Sequence, residues 1–259
     1  MQLSSNGNTH CSRLIFASTS QTNECVDFLQ LERVRKVVTR SQSGVHGKIA
    51  DVDLHRSRHA ETQNELRGIR VLLASGQPEV LQEQPFILEY NVEGKKRRYI
   101  PDLLAIWGNH REAIEIKEDS EADLPENQER FPLIRGLLSG YGFRFRVWRK
   151  SEICAEPRLS NANMILRYRR VEVASTEHEY IRLKFSSSPQ ITLQTFHNNP
   201  TIAIQSILRL VMAGTLHIDW WKPLTLDSTV CTTPIGHQAW PQRSINSPHH
   251  EEGRCRDSL

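Results

Sequence analysis

Cysteine is sparse in this chain: Cys11, Cys25, Cys154, Cys231 and Cys255 are odd in number, scattered, and form no CxxC pair. That argues against a disulfide framework or a zinc site and for a reducing cytosol. No apolar run is long enough to span a bilayer and no signal-peptide pattern opens the chain, so no membrane role and a cytoplasmic location are expected. A phosphate-cradling glycine loop, a Ser-His-Asp arrangement and a nucleophilic cysteine pattern are also missing. His55 and His59 have i,i+4 spacing but lack the glutamate of a zinc-protease motif, and His249-His250 lie in a polar tail. Net charge is only +3 over 259 residues, too small to name a partner by itself.

What is present is an uneven distribution of charge. Lys95-Lys-Arg-Arg98 is a compact basic run, and eight Lys or Arg lie between Tyr141 and Arg170 against Glu152 and Glu156. Acidic residues gather instead between Glu112 and Glu129. Cations flanking a carboxylate-rich stretch suit a polyanionic substrate, with the cations binding phosphates and the carboxylates holding metal.

The order of elements predicts an α/β fold. Residues 1–50 read as a flexible, partly basic lead-in, and 236–259 as a disordered tail. A helix is expected over Ser57–Ala74, with Leu66, Ile69, Leu72 and Leu73 on one face and Gly76-Gln-Pro78 as its stop. Strands are expected over Gln84–Tyr90, Arg98–Trp107 and Glu112–Lys117, and a helix over Glu126–Ser139 with Pro125 in its first turn and Gly140 closing it. Gly142–Trp148 alternates Phe143, Phe145 and Val147 with Arg144 and Arg146, a further strand. Beyond it, Tyr180–Phe185 and Thr215–Trp220 read as strands around a helix over Thr201–Ala213, consistent with a small winged-helix-like unit.

The chemistry concentrates in Tyr99-Ile-Pro-Asp102 and, after a short interval, Glu115-Ile-Lys117. In a strand Glu115 and Lys117 share a face while Ile114 and Ile116 point the other way. Asp102, Glu115 and the Ile116 carbonyl make an oxygen donor set of the kind Mg²⁺ prefers. Adjacent carboxylates repel unless a cation sits between them. Lys117 would orient or deprotonate a water and offset charge building on phosphorus. A third carboxylate is expected from the preceding helix, where Glu61 and Glu65 are four apart on one face. Gln128, on the later helix, is a weaker candidate. For DNA contacts the candidates are Lys95, Lys96, Arg97, Arg98, Arg144 and Arg146.

These motifs resemble the PD-(D/E)xK nuclease signature, whose core has the same order of helices and strands. From about Val34 to Arg170 the chain resembles, more narrowly, the TnsA-type endonuclease subunit of heteromeric bacterial transposases. The resemblance rests on Val38-Thr-Arg-Ser41, Gly47-Lys48, Glu61-Thr-Gln-Asn-Glu65, Pro78-Glu-Val80, Glu83-Gln-Pro85, Tyr99-Ile-Pro-Asp102, Glu115-Ile-Lys117, Gly142-Phe-Arg-Phe-Arg146 and Leu166-Arg-Tyr-Arg169. It implies that Glu65, not Glu61, is the helical acid, because Glu65 has the family's spacing to Gln84. It implies further that Asp102 and Glu115 are metal ligands and that Lys117 is the catalytic lysine. Asn64 stands where the family has an apolar residue.

What the resemblance implies overall is a restriction-endonuclease-like core over 51–172 and a partner-binding domain over 173–235. Ile207–Val211, Gly214 and Pro223–Ser228 carry the fainter likeness in the latter. The implied activity is Mg²⁺-dependent hydrolysis, with Mn²⁺ as a substitute, of the 5′ strands at transposon ends. The implied partners are DNA, a DDE-type transposase and an AAA+ ATPase. Two other readings stay open: a stand-alone restriction or repair nuclease, and a non-catalytic DNA-binding assembly subunit. No base-reading module is evident, so phosphate-dominated, salt-sensitive DNA contacts are expected.

Overall fold

The computed structural model describes residues 12–17, 28–34, 47–51, 56–76, 78–198 and 202–235. They divide into two compact units, one drawn from 1–69 and 78–154, the other from 70–77 and 155–259. The expected tail over 236–259 and most of the lead-in over 1–50 lie outside the described residues. Among those described, no helix is long and apolar enough to cross a membrane.

The first unit is mixed α/β. Its elements are β1 (Ser12–Phe16), β2 (Gly47–Asp51), β3 (Arg56–Ala60), α1 (Gln63–Val71, to Ile69 in this unit), β4 (Val80–Glu83), β5 (Phe86–Val92), β6 (Lys95–Tyr99), β7 (Leu103–Trp107), β8 (His110–Lys117), α2 (Asp119–Ala122), α3 (Pro125–Ser139), β9 (Arg144–Arg149) and α4 (Lys150–Ile153). One sheet has the order β1-β5-β6; a second has the order β4-β7-β8-β9, antiparallel except for the parallel pair β8–β9; β2 and β3 form a separate hairpin. A shared core of Phe86, Leu88, Leu104, Ile134, Leu138 and Phe145 is fully or almost fully buried between them.

Several boundaries depart from the sequence reading, each for a local reason. Ser12–Phe16, expected within a flexible segment, pairs with β5 and buries Phe16 edge-on against Phe86. Arg98–Trp107 is not one strand. Pro101, which has no N–H to give a ladder, breaks it into β6 and β7, and the two halves join different sheets. A strand not expected from the sequence, β4, precedes β5 and makes the second sheet four-stranded.

The helix expected from Ser57 starts only at Gln63, because Arg56–Ala60 is strand. Its start is capped by side chains: the Glu65 N–H donates to Thr62 Oγ1 (3.1 Å), while the Glu65 carboxylate accepts from the Glu61 N–H (2.8 Å), one residue before the cap. Helix α3 matches expectation, with Pro125 in its first turn, but Gly140 is right-handed; the left-handed residue is Gly142 at φ 77°. There the Phe143 N–H reaches back to the Leu138 carbonyl (3.1 Å) and the Gly142 N–H to that of Ser139 (3.0 Å), a Schellman ending.

The second unit contains a π turn at Leu72–Gly76, then α5 (Arg158–Ile165), α6 (Ser175–Ser187), β10 (Gln190–Thr192), α7 (Leu193–His197), α8 (Ile204–Met212) and β11 (Thr229–Cys231), with β10 and β11 antiparallel. Tyr180–Phe185, expected as strand, is part of α6. Ile181 and Phe185 are the buried pair, four apart, while Leu183 between them is 52% exposed. Thr215–Trp220 is not a strand either and makes one bridge, His217 to Cys231. The segment that follows is held by Asn161, whose Nδ2 donates to the carbonyls of Trp220 (3.2 Å) and Lys222 (2.8 Å) and whose Oδ1 accepts from the Leu224 N–H (3.0 Å).

Candidate active site

The break at Pro101 places Asp102 just before β7 and past the last β7–β8 pair, Leu103 with Ile114. Freed from the ladder, its carboxylate Oδ2 accepts the Ile116 N–H at 2.7 Å, pinning Asp102 to the end of β8. Glu115 and Lys117 project from that same strand end, on one face as the strand period requires. Glu115 is 4% exposed. Its Oε1 lies 3.0 Å from the Lys117 ammonium, and its Oε2 accepts a 2.5 Å hydrogen bond from the Tyr99 hydroxyl, which arrives from the other sheet.

Helix α1 closes in from the side through Gly68. A Cβ there would stand 3.0 Å from Ile116 Cδ1 and 3.2 Å from the Trp148 ring, so only glycine allows this approach without a shift. Glu65, three residues earlier and on the same helical face, is thereby brought within electrostatic range of Glu115 and Asp102. Asn64, buried rather than apolar, donates to Glu118 Oε1 (2.7 Å) and accepts from Arg67 (3.1 Å), which fastens the helix start to the segment following β8.

The electrostatics reflect carboxylates crowded together. Burial, then the charges of Glu115 and Glu65, push the Asp102 carboxyl well above the ordinary aspartate range, against the pull of the Ile116 N–H and Lys117. Glu65 is raised as well, mainly by burial, with Glu61 and Glu115 adding repulsion and the bonds to the Glu61 N–H and Thr62 opposing it. For Lys117 burial works against the ammonium, but Glu115 and Asp102 outweigh it and raise the pKa. Tyr99 is raised well above its usual value by burial and by Glu115, so it remains a donor.

Among the described residues no three His, Cys, Asp or Glu side chains stand close enough to hold a metal ion. The hydrogen bonds give the reason: Glu115 is drawn to Tyr99 and Lys117, and Glu65 is turned into its own helix cap. The donor chemistry nevertheless fits a hard cation. The oxygens are carboxylates, burial and mutual repulsion at Asp102 outweigh the Ile116 N–H and Lys117, and the amide oxygen of Gln84, whose N–H donates to the Asp102 carbonyl (2.9 Å), is buried without a hydrogen-bond partner.

Other predicted residues stand apart from this cluster. Lys95, Lys96, Arg97 and Arg98 are all exposed on β6, with Arg98 and Arg13 both paired to Glu89 (2.8 and 2.7 Å). Arg144 is exposed at the start of β9. Arg146 is drawn inward by the buried carboxylate of Glu112 (2.6 Å). Gln128 is exposed and caps the Ala122 carbonyl. His59 lies on β3, not on a helix, and His55, His249 and His250 are outside the described residues. Tyr99, Gly68 and Gln84 had no assigned role in the sequence. Tyr99 and Gln84 lie inside quoted motifs, but only tertiary contacts reveal what they touch.

No curated protein matches the chain significantly. Residues 78–149 match the family model described as TnsA-like endonuclease N terminal. That segment runs from β4 to the end of β9 and includes Gln84, Tyr99, Asp102, Glu115 and Lys117, whereas Glu65 precedes it. Over that part of its length the chain is similar to TnsA-like endonuclease N-terminal domains.

Proposed function

We propose that this protein is the DNA-cleaving subunit of a transposase, hydrolysing the 5′ strands at transposon ends with Mg²⁺, or Mn²⁺ in its place. The observation that carries the reading is the meeting of Asp102, Glu115 and Lys117 at one strand end, with Glu65 brought over them by Gly68. On this reading 51–172 is a PD-(D/E)xK nuclease domain and 173–235 a winged-helix-like partner-binding domain. The cation would be held by Asp102 and Glu115, with Glu65 and the Ile116 carbonyl completing the set. When bound it supplies Lewis acidity and an activated water.

The chain's own groups divide the remaining work. Lys117, kept protonated by Glu115 and Asp102, orients the water and offsets charge developing on the phosphoryl oxygens; it is a poor proton acceptor as placed. Tyr99 fixes Glu115 by its second oxygen. The exposed Lys95–Arg98 strand and Arg144 bind phosphates without reading bases, which leaves the choice of cut site to partners. Those partners are a DDE-type transposase and an AAA+ ATPase, and the complex works in the cytoplasm at the nucleoid.

The test is strand-resolved cleavage of transposon-end DNA in Mg²⁺, with the partners present and absent, wild type beside Asp102→Ala. Loss of 5′-strand cleavage in the variant supports the reading, and unchanged cleavage sinks it. Efficient cutting by the chain alone would identify a stand-alone nuclease instead.

A further inference from the structure

Gln84 combines three features that each cost free energy. It follows β4 with a left-handed backbone, φ 46°, although it carries a Cβ. Its side chain is inside, the residue being 7% exposed. Its amide oxygen is buried and has no hydrogen-bond partner.

The amide cannot be turned over to escape this. Its Nε2 donates to Glu61 Oε1 at 2.9 Å, and exchanging the two ends would set a carbonyl oxygen against a carboxylate oxygen, two acceptors face to face. Nor is the backbone free to relax. The Gln84 N–H donates to the Asp102 carbonyl (2.9 Å), and the Gln84 carbonyl accepts from the Val34 N–H (3.0 Å). Glu61 in turn gives its N–H to Glu65 Oε2 at 2.8 Å. Gln84 therefore bridges the peptide of Asp102 and the helix start that carries Glu65. A conformation this costly, fixed from both sides, bonded to the Glu61 carboxylate and to the Asp102 backbone, points to a functional position.

We infer that Gln84 is a fifth member of the metal-binding machinery. Its amide oxygen is a neutral donor for the cation or for a water bound to it, and its amide nitrogen holds Glu61 and, through it, Glu65. A carboxamide oxygen adds a hard ligand without adding charge to a cluster that already repels itself. The inference rests on the proposed reading of Asp102 and Glu65 as metal residues, and the test separates the two.

Mn²⁺ binding to the full chain, free of DNA, is titrated by the loss of the free-ion EPR signal for wild type, Gln84→Gly and Asp102→Asn, with Tm measured beside it. Glycine removes the backbone strain, so the Gln84→Gly chain is expected to fold with a Tm close to wild type. Its Mn²⁺ affinity is expected to fall about 10- to 100-fold, the usual effect of removing an outer-shell or auxiliary metal contact. Wild-type affinity in Gln84→Gly, with binding lost in Asp102→Asn, overturns the role of Gln84 and leaves the site standing. Binding that is the same in wild type and Asp102→Asn overturns the site itself. Should the glycine variant not fold, Gln84→Asn, which tolerates the left-handed region but withdraws the oxygen, takes its place with the same expectation. Failure of both to fold would make Gln84 a folding residue and overturn the inference.

Discussion

Replacing Asp102 by Asn deletes one charge from the cluster and keeps an oxygen for the Ile116 N–H, now 2.7 Å away. The Asp102 carboxyl is held well above its ordinary pKa by burial, Glu115 and Glu65, so its ionised form weakens the metal-free fold at neutral pH. With burial, Glu115 and Glu65 outweighing Ile116 and Lys117, Asp102→Asn is expected to raise Tm in EDTA. In excess Mg²⁺ the order reverses. Wild type gains about 2.7 kcal/mol at a hundredfold excess over Kd, and the variant loses that gain.

The pH dependence follows with its sign. Asp102 and Glu65 both have carboxyl pKa values raised by folding, so their contribution is complete below the ordinary carboxylate range, about 4, and is lost as pH rises through the folded values. Metal-free wild type should therefore lose Tm as pH climbs above about 4, and Asp102→Asn should flatten the slope. Scanning calorimetry in EDTA and in Mg²⁺ checks all three statements. A variant less stable than wild type in EDTA, yet with the full Mg²⁺ gain, would refute the argument that crowded carboxylates await a cation.

Gly68→Ala puts a methyl 3.0 Å from Ile116 Cδ1 and 3.2 Å from the Trp148 ring, so these side chains or α1 must give by a few tenths of an ångström. Stability should change by no more than about 1–2 kcal/mol, since better helix propensity offsets the strain, and a fall in cleavage of about tenfold or more is the sign that α1, and Glu65 with it, has moved. Tyr99→Phe removes the 2.5 Å donor from buried Glu115 and should cost about 1.5–3 kcal/mol by urea denaturation. Arg146→Met takes the 2.6 Å guanidinium from the buried Glu112 carboxylate and leaves it His110 at 3.7 Å; a loss of about 3 kcal/mol is expected, largely restored by adding Glu112→Gln.

How legible each part was follows from how local its cause is. Helix α3 and strand β9 could be read because Pro125 and the Phe143–Val147 alternation are local signals. That Asp102, Glu115 and Lys117 lie together could be expected because alternate strand positions share a face and Asp102 precedes the neighbouring strand. The late start of α1 was also readable, in Thr62-Gln-Asn-Glu65, but the apolar period of Leu66, Ile69 and Leu72 extends naturally back over Ser57 and masked it. Pro101 similarly announced the break between β6 and β7. In α6, a spacing of four serves both a helix face and every second strand position, and only the exposure of Leu183 separates them. Gly68, Tyr99 and Gln84 were out of reach for another reason: their importance lies in contacts with Trp148, Glu115 and Glu61, distant in sequence.

The charge layout also constrains the order of events on the proposed reading. Glu61, Glu65, Asp102 and Glu115 outweigh Lys117 where the scissile phosphate would sit, so a polyanion approaching the metal-free site meets repulsion at close range. A cation removes that repulsion only where it binds, and cannot attract DNA from a distance as an exposed basic strand does. Lys95–Arg98 is such a strand, and it runs straight into Tyr99, whose hydroxyl grips Glu115. Phosphate capture and carboxylate positioning are thus adjacent along β6. Raising salt should then weaken DNA binding through Lys95–Arg98 while leaving Mn²⁺ affinity nearly unchanged, because the buried carboxylates are poorly screened. Parallel salt titrations of DNA binding and of Mn²⁺ binding measure the two slopes, and equal slopes would mean that capture and metal binding are not the separate steps this layout implies.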